Sequence, residues 1–488
     1  MSAPDSATTS ETPDYGVLRW LVAATFIVIL NETLMFNAMP SLMDQFHVNE
    51  STVQWLSTAF LLTMAVVIPT TGWFLQRVTT RRAFLGAMSV FCAGTLLAAL
   101  APSFEVLLLA RVIQATGTAI MMPLLMTTLM TIVLPQDRGR IMGNVTLAMS
   151  VAPALGPTAS GLILQFASWR WMFVLVLPLA VLLAMAGLRR LPNVGEPTAS
   201  SLNVPSVILS AIGFGALVFG ISQIGNPKAP APGWPFVIGG VVVLVGFVWL
   251  QLVLQRSDRP LLDLRTLRIR TYVLALLLMG IAMMSMFASM FLLPQYLQGP
   301  RGLTPLKTGL LMMPGGLAMG LLGPQVGKVF DARGARILMV PGAIGVACSL
   351  AALTQYDATT SVWVVLPVHM LLMVSLAGIF TPVFTLGLGA VAPQLYSHAS
   401  SLLGSFQQVA GAIGVAIVSS VLLSRTTSLM KDGHVKLDAE VGGYHWAFAV
   451  GALLSLGILV VTFLLPNRPA TPVHGAAPDE ELEPAQSS

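Results

Sequence analysis

Glu32 is the residue on which chemistry can turn. It is the one carboxylate deep inside a long apolar run, while the other acids fall in polar stretches or at their edges. A charged side chain at the bilayer centre costs about 2.5–3.5 kcal/mol on insertion scales, so it needs a partner, water or a proton. Burial favours the neutral acid. A carboxyl group that holds a proton until a cation displaces it is an exchange site, and competition between the two occupants is the physics of antiport. Arg111 is the second buried charge. Glu32 lies seven residues before Met39, where its run ends, and Arg111 seven after Phe104, where its own begins. At 1.5 Å per residue both sit roughly 10 Å below one face. Being level, Arg111 is expected to tune the protonation of Glu32, directly or through Gln114 or water. The competing reading is a structural ion pair that only lets two helices pack.

Weaker candidates surround this pair. Asn31 and Asn37 offer amide contacts beside Glu32. Phe36, Trp55, Phe60, Phe287 and Tyr296 could wall a cavity, and Gln114, Gln407 and Gln408 could supply polar contacts. Of 26 methionines, Met283, Met284, Met286 and Met290 cluster in one run, with Met312 and Met313 in the next. Flexible thioethers suit a pocket that accepts many shapes, although any one of them can equally be packing. His369, alone in its run, reads as a packed, hydrogen-bonded residue. Pro153, Gly156, Pro157 and Gly161 would bend a helix and let a neighbour approach closely.

The elements that hold these residues follow from composition. Hydrophobic residues make up 55% of the 488 and charged residues 9%. Soluble domains carry roughly 25% charge, so a water-soluble enzyme, a disordered chain and a secreted disulfide scaffold are excluded. The two cysteines, Cys92 and Cys348, sit in apolar runs and read as buried thiols. No Gly-rich phosphate loop, zinc-type Cys/His spacing or nucleophile elbow is present. No cofactor, metal or nucleic-acid partner is therefore expected.

A span needs about 20 apolar residues. That ruler gives fourteen helices, near 18–39, 54–75, 83–101, 105–134, 141–164, 171–188, 204–224, 235–255, 272–296, 306–327, 337–354, 361–391, 400–424 and 445–465. The fold class is an all-α polytopic membrane protein, and fourteen spans put both tails on one side. Seventeen of the 25 basic residues fall on that side, seven on the other, and Arg111 within a span. The positive-inside bias makes the tails cytoplasmic. The N-terminal tail, 1–17, reads as uncleaved. The tail 467–488 reads as disordered, and the mixed-charge stretch Ser424–Tyr444 as the longest outer loop.

A repeat divides the chain. Gly72-Trp73-Phe74-Leu75-Gln76-Arg77-Val78-Thr79-Thr80-Arg81-Arg82 follows span 2, and Gly327-Lys328-Val329-Phe330-Asp331-Ala332-Arg333-Gly334-Ala335-Arg336 follows span 10. Both are basic turns between helices, eight spans apart. Two six-helix bundles, 18–190 and 271–466, with spans 7 and 8 inserted in 191–270, account for that spacing. Two facing halves make an alternating-access carrier, with its substrate near the midplane, and one chain suffices.

These turns resemble the first signature of the major facilitator superfamily. Arg111-Val112-Ile113-Gln114-Ala115-Thr116-Gly117 is similar to its fourth-helix signature. Ala152-Pro153-Ala154-Leu155-Gly156-Pro157-Thr158-Ala159-Ser160-Gly161 resembles its antiporter signature, and Leu30-Asn31-Glu32-Thr33 through Asn37-Ala38-Met39-Pro40 resembles the first helix of its fourteen-helix drug:proton antiporters. Glu32 and the Gln76-Arg77 turn look most like the lincomycin-resistance type. The resemblance implies a bacterial inner-membrane exporter of amphipathic drugs, driven by the proton gradient, with Glu32 and Arg111 coupling protons. It implies gating roles for Gly72, Arg77, Arg81, Pro153, Gly156, Pro157, Gly161, Asp331, Arg333 and Arg336. Gln76 and Thr79 replace the acid and glycine of the first turn, so any cytoplasmic latch leans on Asp331. Span 10 lacks an acid, so divalent-cation transport is not expected. A carrier for one native solute, or a non-transporting membrane sensor, would use the same scaffold.

Overall fold

The computed structural model describes residues 16–133, 138–191, 193, 203–224, 231–255, 263–392 and 395–468. The N-terminal tail to residue 15 and the C-terminal tail from 469 lie outside the described residues, so the readings made for them have no structural counterpart. Fourteen long helices follow one another: α1 (Gly16–Phe46), α2 (Trp55–Arg77), α3 (Thr80–Ala99), α4 (Phe104–Ile132), α5 (Arg138–Phe166), α6 (Arg170–Arg190), α7 (Val204–Gln223), α8 (Gly233–Gln255), α9 (Arg270–Gln298), α10 (Pro305–Arg333), α11 (Arg336–Leu353), α12 (Val362–Gly389), α13 (Tyr396–Lys431) and α14 (Lys436–Leu464). Thirteen of them are long and apolar enough to cross a membrane over their described residues. In α5 several side chains lie outside the described set. No strand occurs among the described residues. Helices satisfy their own backbone groups, which a bilayer cannot do.

Large apolar side chains such as Leu182, Val242, Trp249 and Leu453 are exposed around the outside. In water that would be an anomaly; against lipid it is the expected surface. The same logic corrects one expectation. Cys92 is half-buried and Cys348 is exposed, both as free thiols. An apolar run does not imply burial when the surroundings are themselves apolar.

Three boundaries move by seven residues or more from those read in the sequence. Helix α1 continues through Pro40 to Phe46, seven residues beyond Met39. Its extra turns are held by packing: Phe46 lies 5.8 Å from the Trp169 ring and 6.1 Å from Phe104, and Trp169 Nε1 donates to Gln45 Oε1. The stretch Ser424–Tyr444 is not a long loop. Helix α13 runs to Lys431, α14 begins at Lys436, and Gly433 at φ +90° makes the turn between them. The charges there support helix instead of breaking it. Arg425 stacks 4.1 Å from the Trp446 ring, and Lys436 pairs with Glu440 one turn on, at 3.6 Å.

Helices α1–α6 pack mainly among themselves, as do α9–α14, and the contacts match under a shift of eight helices: α3 on α4 as α11 on α12, and α3 on α6 as α11 on α14. The inserted pair α7–α8 packs through α7 on α2 and α13. A second, smaller repeat ties each half together. Leu191-Pro192-Asn193 follows α6, and Leu465-Pro466-Asn467 follows α14. Asn193 Oδ1 accepts from the Arg81 amide at 3.4 Å, and Asn467 Oδ1 accepts from the Arg336 amide at 2.9 Å. Each asparagine thus caps the third helix of its own half just after a basic turn. Gly334, at φ +85°, closes the second turn against Asn467, a conformation that a side chain would strain.

The halves meet at the end opposite the termini, here called the distal end. Thr158 Oγ1 donates to the Gly309 carbonyl at 2.8 Å, and Asn37 Nδ2 donates to the carbonyls of Pro157 at 2.9 Å and Pro305 at 3.1 Å. Gln298 Nε2 returns a bond to Asn37 Oδ1 at 2.8 Å. Gly161 lies against the Pro305 backbone and Gly309 against that of Pro157, with no room for a Cβ on either. Small residues let α5 and α10 touch backbone to backbone. On the other flank, Ser419 on α13 donates to Gln54 beside α2. At the terminal end the second basic turn stands apart: Asp331, Arg333 and Arg336 are exposed, and none of them has an ion pair among the described residues.

Two outcomes check this account. Asn467→Ala should lower stability by about 1 kcal/mol, as loss of a helix cap does, seen as a reduced thermal midpoint in detergent; an unchanged midpoint would contradict the capping role. Gly309→Leu should wedge α5 from α10, so spin labels on the distal ends of the two helices should read a longer distance than in the parent protein.

Candidate functional site

Arg111 and Gln114 lie three residues apart on α4 and so share a face. Arg111 is fully buried. Its Nη1 donates to Asn31 Oδ1 on α1 at 3.2 Å and to Gln114 Oε1 at 3.1 Å, and its Nε donates to the Leu56 carbonyl on α2 at 3.3 Å. The guanidinium sits 4.1 Å from the Phe60 ring centroid, a favourable place for a desolvated cation. Gln114 Nε2 donates in turn to Thr95 Oγ1 on α3 at 2.9 Å. One side chain therefore ties together four helices of the N-terminal half. Within this network Arg111 Nη2 and Asn31 Nδ2 have no partner among the described residues.

Glu32 is next to Asn31 and is 7% exposed. Among the described residues its carboxylate makes neither a hydrogen bond nor an ion pair within 4 Å. It is also the only acid buried inside a long helix there; the other buried acid, Asp263, precedes the single 3-10 turn Leu264–Arg268 and pairs with Arg265 at 2.5 Å. The direct Glu32–Arg111 pair weighed from the sequence is thus not formed: Arg111 reaches Asn31 and Gln114 instead. Glu32 also lies deeper than seven residues from the end of its helix, because α1 ends at Phe46 and not at Met39. The two charges are nonetheless level, since the residue before Glu32 bonds to Arg111.

A small cavity of about 20 Å³ lies between the halves, with room for a single water. Met286 and Met290 of α9, Met312 and Met319 of α10, Met373 and His369 of α12, and Pro153 and Pro157 of α5 line it. Of the six methionines read from the sequence, Met286, Met290 and Met312 meet at this place, joined by Met319 of α10 and Met373 of α12; Met283, Met284 and Met313 are not in its lining, and Met284 backs onto Gly414 of α13. His369 is buried but incompletely bonded: its Nδ1 has no partner among the described residues.

Other candidates fall elsewhere. Asn37 is in the distal junction. Phe36 stacks on Phe287, centroids 5.9 Å apart, joining α1 to α9. Trp55 packs on Phe219 of the inserted α7 at 5.9 Å, so its ring holds the insertion in place. Tyr296 is not a wall of the cavity. Its hydroxyl donates to the Asp357 carbonyl at 2.6 Å and its ring meets Tyr444 edge-on at 5.6 Å, because it lies two residues from the distal end of α9. Gln407 has an open Nε2, and Gln408 donates to Met64 Sδ. Gly156 sits against Thr33, locking α5 onto α1 one residue from Glu32. Arg77 is exposed over the Trp73 ring at 5.1 Å, and the Arg81 amide is capped by Asn193. Gly72 and Gln76 lie on α2, in positions whose side-chain surroundings are outside the described set. Thr95, Thr158, Gln298 and the two capping asparagines were not among the sequence candidates. The asparagines carried a signal, the repeated Leu-Pro-Asn; the others are ordinary polar residues in apolar helices.

Comparison with known proteins follows the same lines. A model of the Major Facilitator Superfamily matches residues 21–415. The Lincomycin resistance protein LmrB of Listeria innocua is 36% identical over 455 residues, which is 92% of this chain and 96% of that protein. The Bacillus subtilis protein of the same name is 35% identical, over 91% and 94% of the two chains. Among solved structures, a bacterial homologue of the human lysosomal transporter Spinster, inward-facing and unoccupied, superposes with a TM-score of 0.67 at 14% identity, covering 93% of this chain and 97% of that one. That likeness shows the fold. With a family model matching most of its length and helices paired in two equivalent halves, the chain belongs to the Major Facilitator Superfamily.

Proposed function

We propose that this chain is a proton-coupled antiporter that exports amphipathic drugs or antibiotics by alternating access. The observation that carries the reading is Glu32: a buried carboxylate without a hydrogen-bond or ion-pair partner among the described residues, one residue from the Arg111 network. An acid left unpaired in an apolar setting is held by a proton. An incoming cationic or zwitterionic ligand favours its ionisation, so proton and substrate exclude one another at one carboxylate. Arg111 sets the balance by its charge and keeps Asn31 and Gln114 in register. The names of the relatives, lincomycin and multidrug resistance proteins, support drugs as the substrate class.

The distal junction supports alternating access. Closed by Asn37, Thr158, Gln298 and the α5–α10 crossing, it seals one end of the interface between the halves. At the other end Asp331 is exposed and is the acid available for a latch when that end closes. The charge bias of the loops supports cytoplasmic termini in a bacterial plasma membrane, so the sealed end faces outward. One chain holds both halves and works as a monomer, with the proton gradient as its energy source.

Uptake of externally added ethidium by energised everted vesicles tests this reading. A protonophore should abolish uphill transport. Glu32→Gln should also abolish it while leaving ethidium counterflow within a few-fold of the parent, since the neutral amide cannot exchange a proton. Uphill transport that survives Glu32→Gln sinks the assignment. Arg111→Ala should move the pH profile of transport; a profile identical to that of the parent would make Arg111 a purely structural residue.

A further inference from the structure

The two halves place their fourth helices alike, and the residues at one position invite comparison. Arg111 is seven residues into α4, and His369 is seven residues into α12. Each approaches a carbonyl on the second helix of its own half: Arg111 Nε that of Leu56 at 3.3 Å, and the His369 ring that of Met312. Beyond this the two diverge. Arg111 closes on Asn31 and Gln114. His369 is pressed edge-on to α10, where a Cβ on Gly315 would come within 2.7 Å of Cδ2 and 3.0 Å of Nε2. The Cδ2–Nε2 edge of the ring therefore lies against α10, on the side of the Met312 carbonyl. The Nδ1 atom, on a side chain only 3% exposed, has no partner among the described residues. His369 is the one titratable residue lining the methionine cavity between the halves.

A ring whose Nε2–H is committed to a carbonyl presents a lone pair at Nδ1. The wall of the cavity also carries thioethers from three helices, which can move aside for an apolar guest. An apolar cavity with one histidine in its wall has the make-up of a ligand subsite. Resting on the export reading above, we propose that this cavity is a docking subsite of the C-terminal half. In it, His369 Nδ1 accepts a hydrogen bond from an N–H or O–H group of the substrate, while the methionines hold the substrate's apolar body. The subsite adds a selectivity separate from charge: it favours amphipaths that carry a donor over cations that carry none.

Ethidium, with aromatic amines, and tetraphenylphosphonium, with no donor, separate the two contributions. Their binding is measured at equilibrium on the purified full-length protein in detergent. His369→Phe should weaken ethidium about 3- to 10-fold, the effect of one neutral hydrogen bond, and leave tetraphenylphosphonium within about twofold. His369→Gln, whose side-chain carbonyl can accept, should recover most of the loss. If the Phe variant is not monodisperse, His369→Leu carries the same comparison. Equal weakening of both cations in monodisperse protein, or no weakening of either, overturns the subsite and leaves export standing. A parent protein that binds neither cation overturns the export reading and the subsite with it.

Discussion

A bilayer offers a buried charge neither water nor counter-ions, and the arrangement of this chain follows from how its few buried polar groups meet that constraint. Arg111 meets it within the protein, through two side chains, one carbonyl and an aromatic face. In doing so it fixes α1, α2 and α4 relative to one another, and α3 through Gln114. Glu32 has no such partners among the described residues. The difference is chemical: a guanidinium is always protonated and must be bonded, whereas a carboxylic acid can solve its own problem by taking up a proton. A protein that needs one fixed and one exchangeable charge in the same layer is well served by this pairing, and a direct salt bridge would have frozen both.

The halves obey the same geometry but are filled differently. Small residues at the α5–α10 crossing allow backbone contact, so the distal end closes by fit and by the carbonyl bonds of Asn37 and Thr158. None of these bonds involves a charged pair, and each exchanges readily with water when the interface opens. The asparagine caps at the other end hold each half together internally and do not bridge the two. Rigid halves with a reversible seam are what rocking motion requires.

Much of this was legible in the sequence. The number and order of long helices followed from apolar run length, because a membrane span is the simplest length-coded element. The repeat followed from the two basic turns. What failed did so for identifiable reasons. Charges at Arg425, Lys436 and Glu440 suggested a loop, but helices can continue beyond the bilayer, where charge is solvated. Cys348 sits in an apolar run yet faces outward, since lipid removes the inside–outside rule. Tyr296 and Trp55 looked like cavity walls, but residue type alone does not say which face of a helix meets which neighbour. Depth puts Glu32 and Arg111 in one layer and leaves open a direct contact, Gln114 or water; it cannot reveal that Asn31 and Gln114 take the donors of the arginine. The Leu-Pro-Asn repeat was present in plain view and carried no recognised motif.

The central claim is that a single carboxyl, Glu32, exchanges a proton for substrate. It is tested most directly by adding ethidium to the purified protein in weakly buffered detergent solution and recording pH. The account predicts acidification on binding in the parent protein and none in Glu32→Gln at matched occupancy. Equal proton release from both proteins would contradict it.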